Sequence, residues 1–206
     1  MKTNVGVVFG GRSVENEISV ITANQAIAAM DREKYDVTPI YITKEGKWYT
    51  GKALLDTSNY RDTKKLLAQC EEVYMKPIYG DTNLYRAKKG LFRKEIVTRL
   101  DVMLPALHGT NCEDGTLAGF VTLLGIPFVG PDILASSIGM DKILQKKILR
   151  QSGIPVVDFV PFYSVEYIKD EEKILKDIEE KLEYPVIVKP GNLGSSVGIR
   201  KAIKKV

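Results

Sequence analysis

The sequence predicts an α/β protein whose N-terminal part is an open parallel sheet flanked by helices. Three short apolar runs, Val5–Phe9, Val37–Ile42 and Val102–Leu107, are typical of strands buried in a parallel sheet. Helical patterns follow the first and third of these runs. Strands that alternate with helices indicate a parallel sheet with right-handed crossover connections.

The first half of the chain adds three local expectations. Gly10-Gly11 ends the first strand, and Ser13 is placed to cap the helix that follows. The charged turn after the second strand leads into Trp48-Tyr49, where we expect a hairpin extension. Residues 53–99 are polar and irregular, and they predict no clear element.

The third strand is followed by the loop His108–Gly115 and by a helix over Thr116–Leu124. Gly125 is placed just past the end of that helix, where a left-handed conformation commonly terminates helices. A further strand is expected over Ile126–Val129.

A domain boundary is predicted at Gly130-Pro131, which gives one domain over 1–130 and a second over 131–206. The second block predicts four elements: helices over Ile133–Ile138, Asp141–Gln151 and Asp170–Leu182, and a strand around Phe159–Tyr163. Since the sequence stops soon after one more strand pattern, we expect this second domain to be truncated.

Composition excludes several classes of function. Basic residues exceed acidic residues by 30 − 26 = 4, too small and too scattered an excess to predict nucleic-acid binding. No apolar run approaches the roughly 18 residues of a membrane-spanning helix. The N-terminus lacks a signal-peptide pattern, and two cysteines make no disulfide framework. We therefore expect a cytoplasmic protein with no membrane partner.

A phosphate-binding pattern stands near the C-terminus. Lys189 ends a β-branched run, and the Gly/Ser-rich loop 191–198 follows at once. Backbone N–H groups and two hydroxyls in such a loop suit the phosphates of a nucleotide. The order is not that of a Walker loop, whose lysine follows its glycines. A β-hairpin with a glycine-rich turn, its second strand near Val197 and Ile199, is the alternative.

Two further candidates follow strands of the N-terminal block. Glu15 lies in the first turn of a predicted helix, as a dipole-complementing carboxylate or a receptor for a substrate ammonium. His108, the only histidine, follows a strand at the edge where ligands of open α/β sheets bind, and we expect Glu15 to lie at the same carboxyl-end edge and to face a shared cleft with it. A Cys112–His108 nucleophile is disfavoured because Glu113 and Asp114 oppose a thiolate. These two acids are explained as caps of the next helix.

A third candidate opens the second block. Lys142 follows the capping residue Asp141 in the first turn of a predicted helix. A lysine there opposes the helix dipole, and a bound phosphate would offset that cost. No carboxylate or His/Cys pattern marks a metal site in these 206 residues.

Five segments in order resemble one family, the D-alanine–D-alanine ligases of the ATP-grasp enzymes. They are Gly10–Ser19, His108–Thr116, Gly125–Gly130, Met140–Lys142 and Val188–Pro190 together with Gly194–Gly198. The resemblance implies a Rossmann-like, pre-ATP-grasp N-terminal domain followed by an incomplete α+β ATP-grasp subdomain. It further implies a cytoplasmic homodimer.

The resemblance implies an ATP-dependent reaction that joins two D-alanines for peptidoglycan precursor synthesis, and hence for cell-wall biogenesis and cell shape. ATP would phosphorylate the first D-alanine, and the amine of the second would attack the acyl phosphate. Glu15 would hold the ammonium of the first D-alanine, and His108 would orient the substrates. Ser195 would join the mobile loop to Glu15 as part of the catalytic network.

The same resemblance gives the nucleotide its contacts. Lys142 and Lys189 would bind the ATP phosphates, and the loop with Ser195 and Ser196 would close over them. Mg²⁺ is implied as well, with its ligands expected in a C-terminal part beyond these residues. The fragment alone is therefore expected to be inactive.

Two positions depart from the family pattern, and two alternatives stay open. Cys112 stands where the family usually has glycine, and Ala118 where it usually has glutamine. These changes bear on the second substrate, so a ligase that accepts D-lactate, D-serine or another second substrate is one alternative. A non-catalytic ligand-binding module that retains the fold is the other.

Overall fold

The computed structural model describes residues 1–88 and 93–204. The chain divides into two compact units, an N-terminal unit over Met1–Ser137 and a C-terminal unit over Ile138–Val206. The domain boundary after Gly130 stays a prediction. Helix α4, the fourth helix along the chain (Ile133–Met140), contains the division between the two units.

The strands of the N-terminal unit form one mixed sheet. They are β1 (Thr3–Gly10), β2 (Tyr35–Ile42), β3 (Trp48–Thr50), β4 (Glu71–Tyr74), β5 (Asn83–Arg86), β6 (Ile96–Arg99) and β7 (Val102–Pro105). Among the described residues their order is β6-β5-β4-β3-β2-β1-β7. Strand β1 pairs in parallel with β2 and β7, whereas the strands from β3 to β6 are antiparallel. The α/β class, the three parallel strands and the hairpin at Trp48 are confirmed.

Helices cover both faces of the parallel strands. They are α1 (Asn16–Ala29), α2 (Thr63–Ala68) and α3 (Thr116–Leu124), with short 3-10 helices at Lys52–Leu55 and Thr57–Asp62. Side chains of β1 alternate between the faces: Val7 and Phe9 pack in the cluster that contains α1, and Val8 packs in the cluster that contains α3. Gly125 ends α3 at φ 73°, as expected.

The C-terminal unit contains short elements. They are α5 (Lys142–Gln151), α6 (Ser164–Lys169), α7 (Glu171–Lys181), β8 (Val186–Val188) and β9 (Arg200–Ala202). Strands β8 and β9 pair as an antiparallel hairpin. Asp141 caps α5, because its carboxylate accepts the N–H groups of Ile143 and Leu144 at 2.9 Å each. None of the helices in the described chain is long and apolar enough to cross a membrane.

Two predictions for elements of the N-terminal unit are wrong. Helix α1 begins at Asn16, so Ser13 does not cap it. Its hydroxyl instead accepts the Glu15 N–H at 3.0 Å in the preceding turn. The run Ile126–Val129 makes only a single bridge, from Phe128 to Met103.

Two runs that were expected to be strands each contain a proline, Pro127 and Pro161, which removes one N–H from a possible ladder. Proline is not decisive by itself, because Pro39 and Pro105 lie within β2 and β7. The run Phe159–Tyr163 has no regular secondary structure. The last strand starts at Arg200, three residues after the Val197 signal.

The two units differ in how much apolar surface they bury. Among the described residues of the C-terminal unit, Ile174 is the one buried apolar side chain. We therefore expect amides of α5 and α7 to exchange with deuterium at least about tenfold faster than those of β1. Exchange of the 206-residue chain, followed by mass spectrometry, measures this difference. Equal protection of α7 and β1 would contradict it.

Candidate functional site

Glu15 and His108 follow two neighbouring parallel strands. Because β1 and β7 run in the same direction, the loops after Gly10 and Pro105 leave the same edge of the sheet. The Asn111 side chain joins these loops by donating a hydrogen bond to the Arg12 carbonyl at 3.0 Å. The prediction that both residues lie at one carboxyl-end edge is confirmed.

Gly109 brings the Glu15 carboxylate against the His108 loop. A Cβ atom at Gly109 would lie 2.5 Å from Glu15 Oε2 and 2.5 Å from Ser13 Oγ. The backbone of Gly109 also has φ 77°, which L side chains rarely adopt. Glycine is thus required at this position for two reasons, the lack of space and the backbone conformation. The Glu15 side chain is only 6% exposed and is held beside the loop.

Two buried polar side chains fix this edge, and sequence reasoning gave them no role. Ser19 accepts the Gly10 N–H and donates to the Ala106 carbonyl, both at 2.8 Å, and so ties α1 to the last residue of β1 and to the first residue after β7. Asn16 donates to the Gly11 carbonyl at 2.7 Å and accepts from the Tyr41 hydroxyl at 3.1 Å. The sequence signal that could have identified Asn16 and Ser19 is the presence of short polar side chains on the inward face of a helix.

The His108 ring is held from two sides. Its Nε2 lies 2.9 Å from the Thr22 hydroxyl of α1, and its Nδ1 lies 3.8 Å from Glu113 Oε1. The other oxygen of Glu113 accepts the Gly109 N–H at 2.6 Å. Glu113 therefore holds the loop and does not cap the next helix as expected. Asp114 does serve the helix, by accepting the Thr116 N–H at 3.0 Å.

The structure gives Cys112 no nucleophilic role. Burial, reinforced by the negative charges of Glu113 and Asp114, raises the pKa of the Cys112 thiol to about 12. A thiol with this pKa holds almost no thiolate at neutral pH. Among non-glycine residues of the described chain, only Asn111, Ser195 and Ser196 have positive φ, so a cysteine at 112 causes no backbone strain.

The raised pKa predicts how the Cys112→Ala substitution changes stability with pH. In the unfolded chain the thiol ionises near its ordinary pKa of about 8.5. In the folded chain the Cys112 thiol keeps its proton up to about pH 12. Between these values the native state holds more protons, so ionisation of this thiol lowers the free energy of unfolding as pH rises, by up to about 1.4 kcal/mol per pH unit.

The comparison of wild type with Cys112→Ala isolates this effect. Trp48, the only tryptophan, lies in β3 and reports unfolding of the N-terminal unit. Urea unfolding followed by Trp48 fluorescence at pH 8 and pH 10 should show the wild type losing more stability than the variant. Equal losses would show that Cys112 ionises normally in the folded chain.

The predicted nucleotide residues lie in the C-terminal unit. Lys142 opens α5 and its ammonium donates to the carbonyl oxygens of Gly191, at 3.3 Å, and Leu193. Its backbone N–H also donates to Gly191, at 3.1 Å. Lys189 is exposed directly after β8, two residues before this contact. The structure thus brings Lys142 to the start of the loop that Lys189 introduces.

The loop itself is the turn of the β8–β9 hairpin. The β-hairpin with a glycine-rich turn is thereby confirmed, and the turn of a hairpin is compatible with phosphate binding. Ser195 and Ser196 both have left-handed backbones, with φ 47° and 62°, and Gly198 has φ 74°. Consecutive non-glycine residues in this conformation store backbone strain, which is common in ligand-binding loops. The link predicted from Ser195 to Glu15 joins residues of different units and stays a prediction.

No metal site is evident in the described part of the chain. Residues 1–88 and 93–204 contain no group of three or more His, Cys, Asp or Glu side chains arranged to hold a metal ion. The expectation that this sequence supplies no Mg²⁺ ligands stays a prediction.

Comparisons with known proteins agree over both units. The sequence model described as the D-ala D-ala ligase N-terminus matches residues 4–131, and the one described as the D-ala D-ala ligase C-terminus matches residues 148–205. The D-alanine–D-alanine ligase of Natranaerobius thermophilus is 43% identical over 203 residues, covering 97% of this chain and 53% of the relative. The chain spans about half the length of the curated relatives it matches.

Solved structures match as well. The VanG D-Ala:D-Ser ligase of Enterococcus faecalis superposes with a TM-score of 0.79 at 33% identity, over 100% of this chain and 57% of the other. A D-alanine–D-alanine ligase of Bacillus anthracis complexed with ATP gives a TM-score of 0.60 at 28% identity, over 98% of this chain and 51% of the other. Since a family model matches more than half of its residues, the chain belongs to the D-alanine–D-alanine ligase family.

Proposed function

We propose that this chain forms the first half of an ATP-dependent ligase that joins two D-alanines into D-alanyl-D-alanine for peptidoglycan precursor synthesis. Family membership supports the reaction class, and the related ligase complexed with ATP supports the nucleotide. The observation that carries the proposal is the arrangement of Glu15, Gly109 and His108 at one sheet edge. The product belongs to cell-wall synthesis, which fits a cytoplasmic enzyme.

The chemistry proceeds in two balanced steps. A carboxylate oxygen of the first D-alanine attacks the γ-phosphorus of ATP, which gives an acyl phosphate and ADP. The amine of the second D-alanine then attacks the acyl carbon, phosphate leaves, and the attacking nitrogen loses a proton. The protein has little covalent work in the first step, so positioning and neutralisation of charge dominate.

Glu15 and His108 would bind and orient the amino-acid substrates. The buried Glu15 carboxylate is a partner for the ammonium of the first D-alanine, because a buried carboxylate binds a cation more strongly than an exposed one. The Thr22 hydroxyl fixes the His108 ring beside the same loop, where the imidazole would orient the substrates. Ala118 is buried in α3 and contributes no amide to this region.

Lys142, Lys189, Ser195 and Ser196 would serve the nucleotide. Two of the three ammonium N–H groups of Lys142 contact loop carbonyls, which leaves one for a phosphate. The lysines would act as point charges on the phosphates, and the loop hydroxyls and N–H groups would close over them. Closure excludes water from the acyl phosphate.

The resemblance further implies Mg²⁺ and a homodimer. The described side chains do not fit a Mg²⁺ site, so no step of the reaction is assigned to the metal here. We propose that its ligands come from outside the described residues, and that the N-terminal unit carries the dimer contact. Sedimentation of the purified chain at several concentrations tests the dimer.

A second candidate function is a ligase that uses D-serine as the second substrate. It is favoured by the likeness to the VanG D-Ala:D-Ser ligase, which covers the whole of this chain. A ligase that uses D-lactate as the second substrate is a further alternative. The non-catalytic ligand-binding module would ligate neither D-serine nor D-lactate.

A hybrid ligase tests these proposals. It consists of residues 1–206 followed by the part of the Natranaerobius thermophilus relative that lies beyond its match with this chain. We expect mass spectrometry to find D-alanyl-D-alanine when ATP, Mg²⁺ and D-alanine are supplied together with D-serine or D-lactate in competition. A mixed product in excess would favour the second candidate. Absence of any ligated product from the folded hybrid would favour the non-catalytic module.

A further inference from the structure

Helix α5 carries three cations on one face. Lys142, Lys146 and Arg150 follow one another at intervals of four residues, so their side chains lie on the same side of the helix. Successive members are about 6 Å apart along the axis, because each residue of an α-helix rises about 1.5 Å. Like charges at this spacing repel one another, so each needs a compensating partner.

The two outer cations have such partners. Lys142 donates to the loop carbonyls of Gly191 and Leu193. Arg150 forms an ion pair with Asp158, with Nη2 3.0 Å from Oδ1. The cation in the middle of this face, Lys146, has no ion-pair partner within residues 1–88 and 93–204.

Phe159 supports the middle cation. The Lys146 ammonium lies 4.8 Å from the centre of the Phe159 ring, and the Arg150 guanidinium lies 5.2 Å from the same centre. An aromatic face attracts a cation, but it does not cancel its charge. The Lys146 side chain is half-buried and is therefore held in place more firmly than a fully solvated lysine.

The loop after β8 brings Lys189 towards this face of α5, because Lys142, one turn before Lys146, contacts Gly191, two residues after Lys189. Burial lowers the pKa of the Lys146 ammonium, and repulsion by Lys189 and then by Arg150 lowers it further. Within residues 1–88 and 93–204, neither Lys146 nor Lys189 forms an ion pair with a carboxylate. Such an arrangement is stabilised when an anion enters between the two cations.

We propose that Lys146 binds the phosphate chain of a nucleoside triphosphate together with Lys189, as a contact additional to Lys142. This inference rests on the proposed nucleotide-dependent function and adds a residue to it. The ligand class follows from position: both lysines lie in the unit whose Gly/Ser loop already contacts Lys142. A phosphate chain carries several charges and can reach more than one of these cations.

The helix provides a matched control. Lys147 is the next residue of α5, has the same side chain and is exposed on a different part of the helix surface. Lys146→Met removes the charge and keeps a side chain able to pack on Phe159. Lys147→Met makes the same chemical change where no phosphate contact is proposed. Lys146→Arg restores the charge.

The test is a titration of the ¹⁵N-labelled 206-residue chain with Mg·ATP and, separately, with adenosine, followed by NMR. We expect Lys146→Met to weaken ATP binding about tenfold, the effect of losing one hydrogen bond to a charged group. Lys147→Met should change it less than about twofold. Adenosine binding should be unaffected by either change, and Lys146→Arg should recover most of the ATP affinity.

The outcomes separate this inference from the function on which it rests. Equal ATP affinity of Lys146→Met and Lys147→Met would overturn the inference and leave nucleotide binding standing. A loss of adenosine binding as large as the loss of ATP binding would also overturn it, since it would show a general structural role. If the wild-type chain shows no shift with ATP, the nucleotide site fails as a whole, and the role of Lys146 fails with it.

Discussion

Glu15→Gln in the hybrid ligase is expected to lower kcat/KM for D-alanine about thirtyfold or more. The substitution keeps the size of the side chain and removes the charge that would pair with the substrate ammonium. Breaking one partner of a buried charge pair costs about 2–5 kcal/mol, which corresponds to at least about thirtyfold. Steady-state phosphate release at varied D-alanine concentration measures the loss.

Glu17→Gln is the matched control. Glu17 lies two residues further on in α1, with a side chain 69% exposed and paired with Lys44 at 2.6 Å. Removing this surface charge should change turnover less than about twofold, because exposed ion pairs contribute little. If both variants lose activity equally, or neither does, Glu15 is not the ammonium receptor.

The second large effect is on stability. Gly10→Ala is expected to lower the free energy of unfolding of the N-terminal unit by about 3 kcal/mol or more. Gly10 has φ 87°, and an added Cβ would lie 2.3 Å from the backbone oxygen of Ile42. That oxygen accepts the Gly11 N–H at 2.7 Å, so it cannot move without breaking the connection to β2.

Gly80→Ala separates strain from collision. Gly80 has nearly the same backbone, φ 83°, but a Cβ there would meet nothing within 4 Å. Its substitution should cost only the left-handed penalty, about 1–2 kcal/mol. Urea unfolding followed by Trp48 fluorescence gives both values. A Gly10→Ala loss no larger than that of Gly80→Ala would show that the Ile42 carbonyl yields easily.

The sequence predicted the centre of the sheet better than its extension. The buried part of β1, the buried half of β2 from Pro39 to Ile42 and the whole of β7 are mostly apolar, which is typical of strands in a parallel sheet covered on both faces. Strand β4, Glu71–Tyr74, is largely polar and half-buried, so its position depends on pairing with β3 and not on its own pattern. Short antiparallel strands of this kind carry little local signal.

In the candidate site, too, local sequence patterns predicted positions better than contacts. Chain order and the edge rule placed Glu15 and His108 together. The contact of Glu15 with Gly109 depends on the register between β1 and β7, which no local pattern encodes. Glu113 illustrates the point, since an acid before a helix suggests a cap, whereas it accepts the N–H of Gly109 in its own loop.

Two of the three lysines proposed to bind the nucleotide were predicted from the sequence, and the third was identified only from the structure. Lys142 was singled out by its place in the first helical turn, and Lys189 by its place at a strand end. Lys146 has an ordinary helical position in the sequence. Its packing on Phe159 and its partial burial distinguish it from its exposed neighbour Lys147.

The most direct test of the account is D-alanine-dependent release of phosphate from ATP, with the 206-residue chain and the hybrid ligase measured side by side. We expect turnover by the hybrid that requires both ATP and D-alanine, and none above background by the 206 residues alone, because they span about half the length of the related ligases. A folded hybrid that releases no phosphate, or a 206-residue chain that turns over as fast as the hybrid, would contradict it.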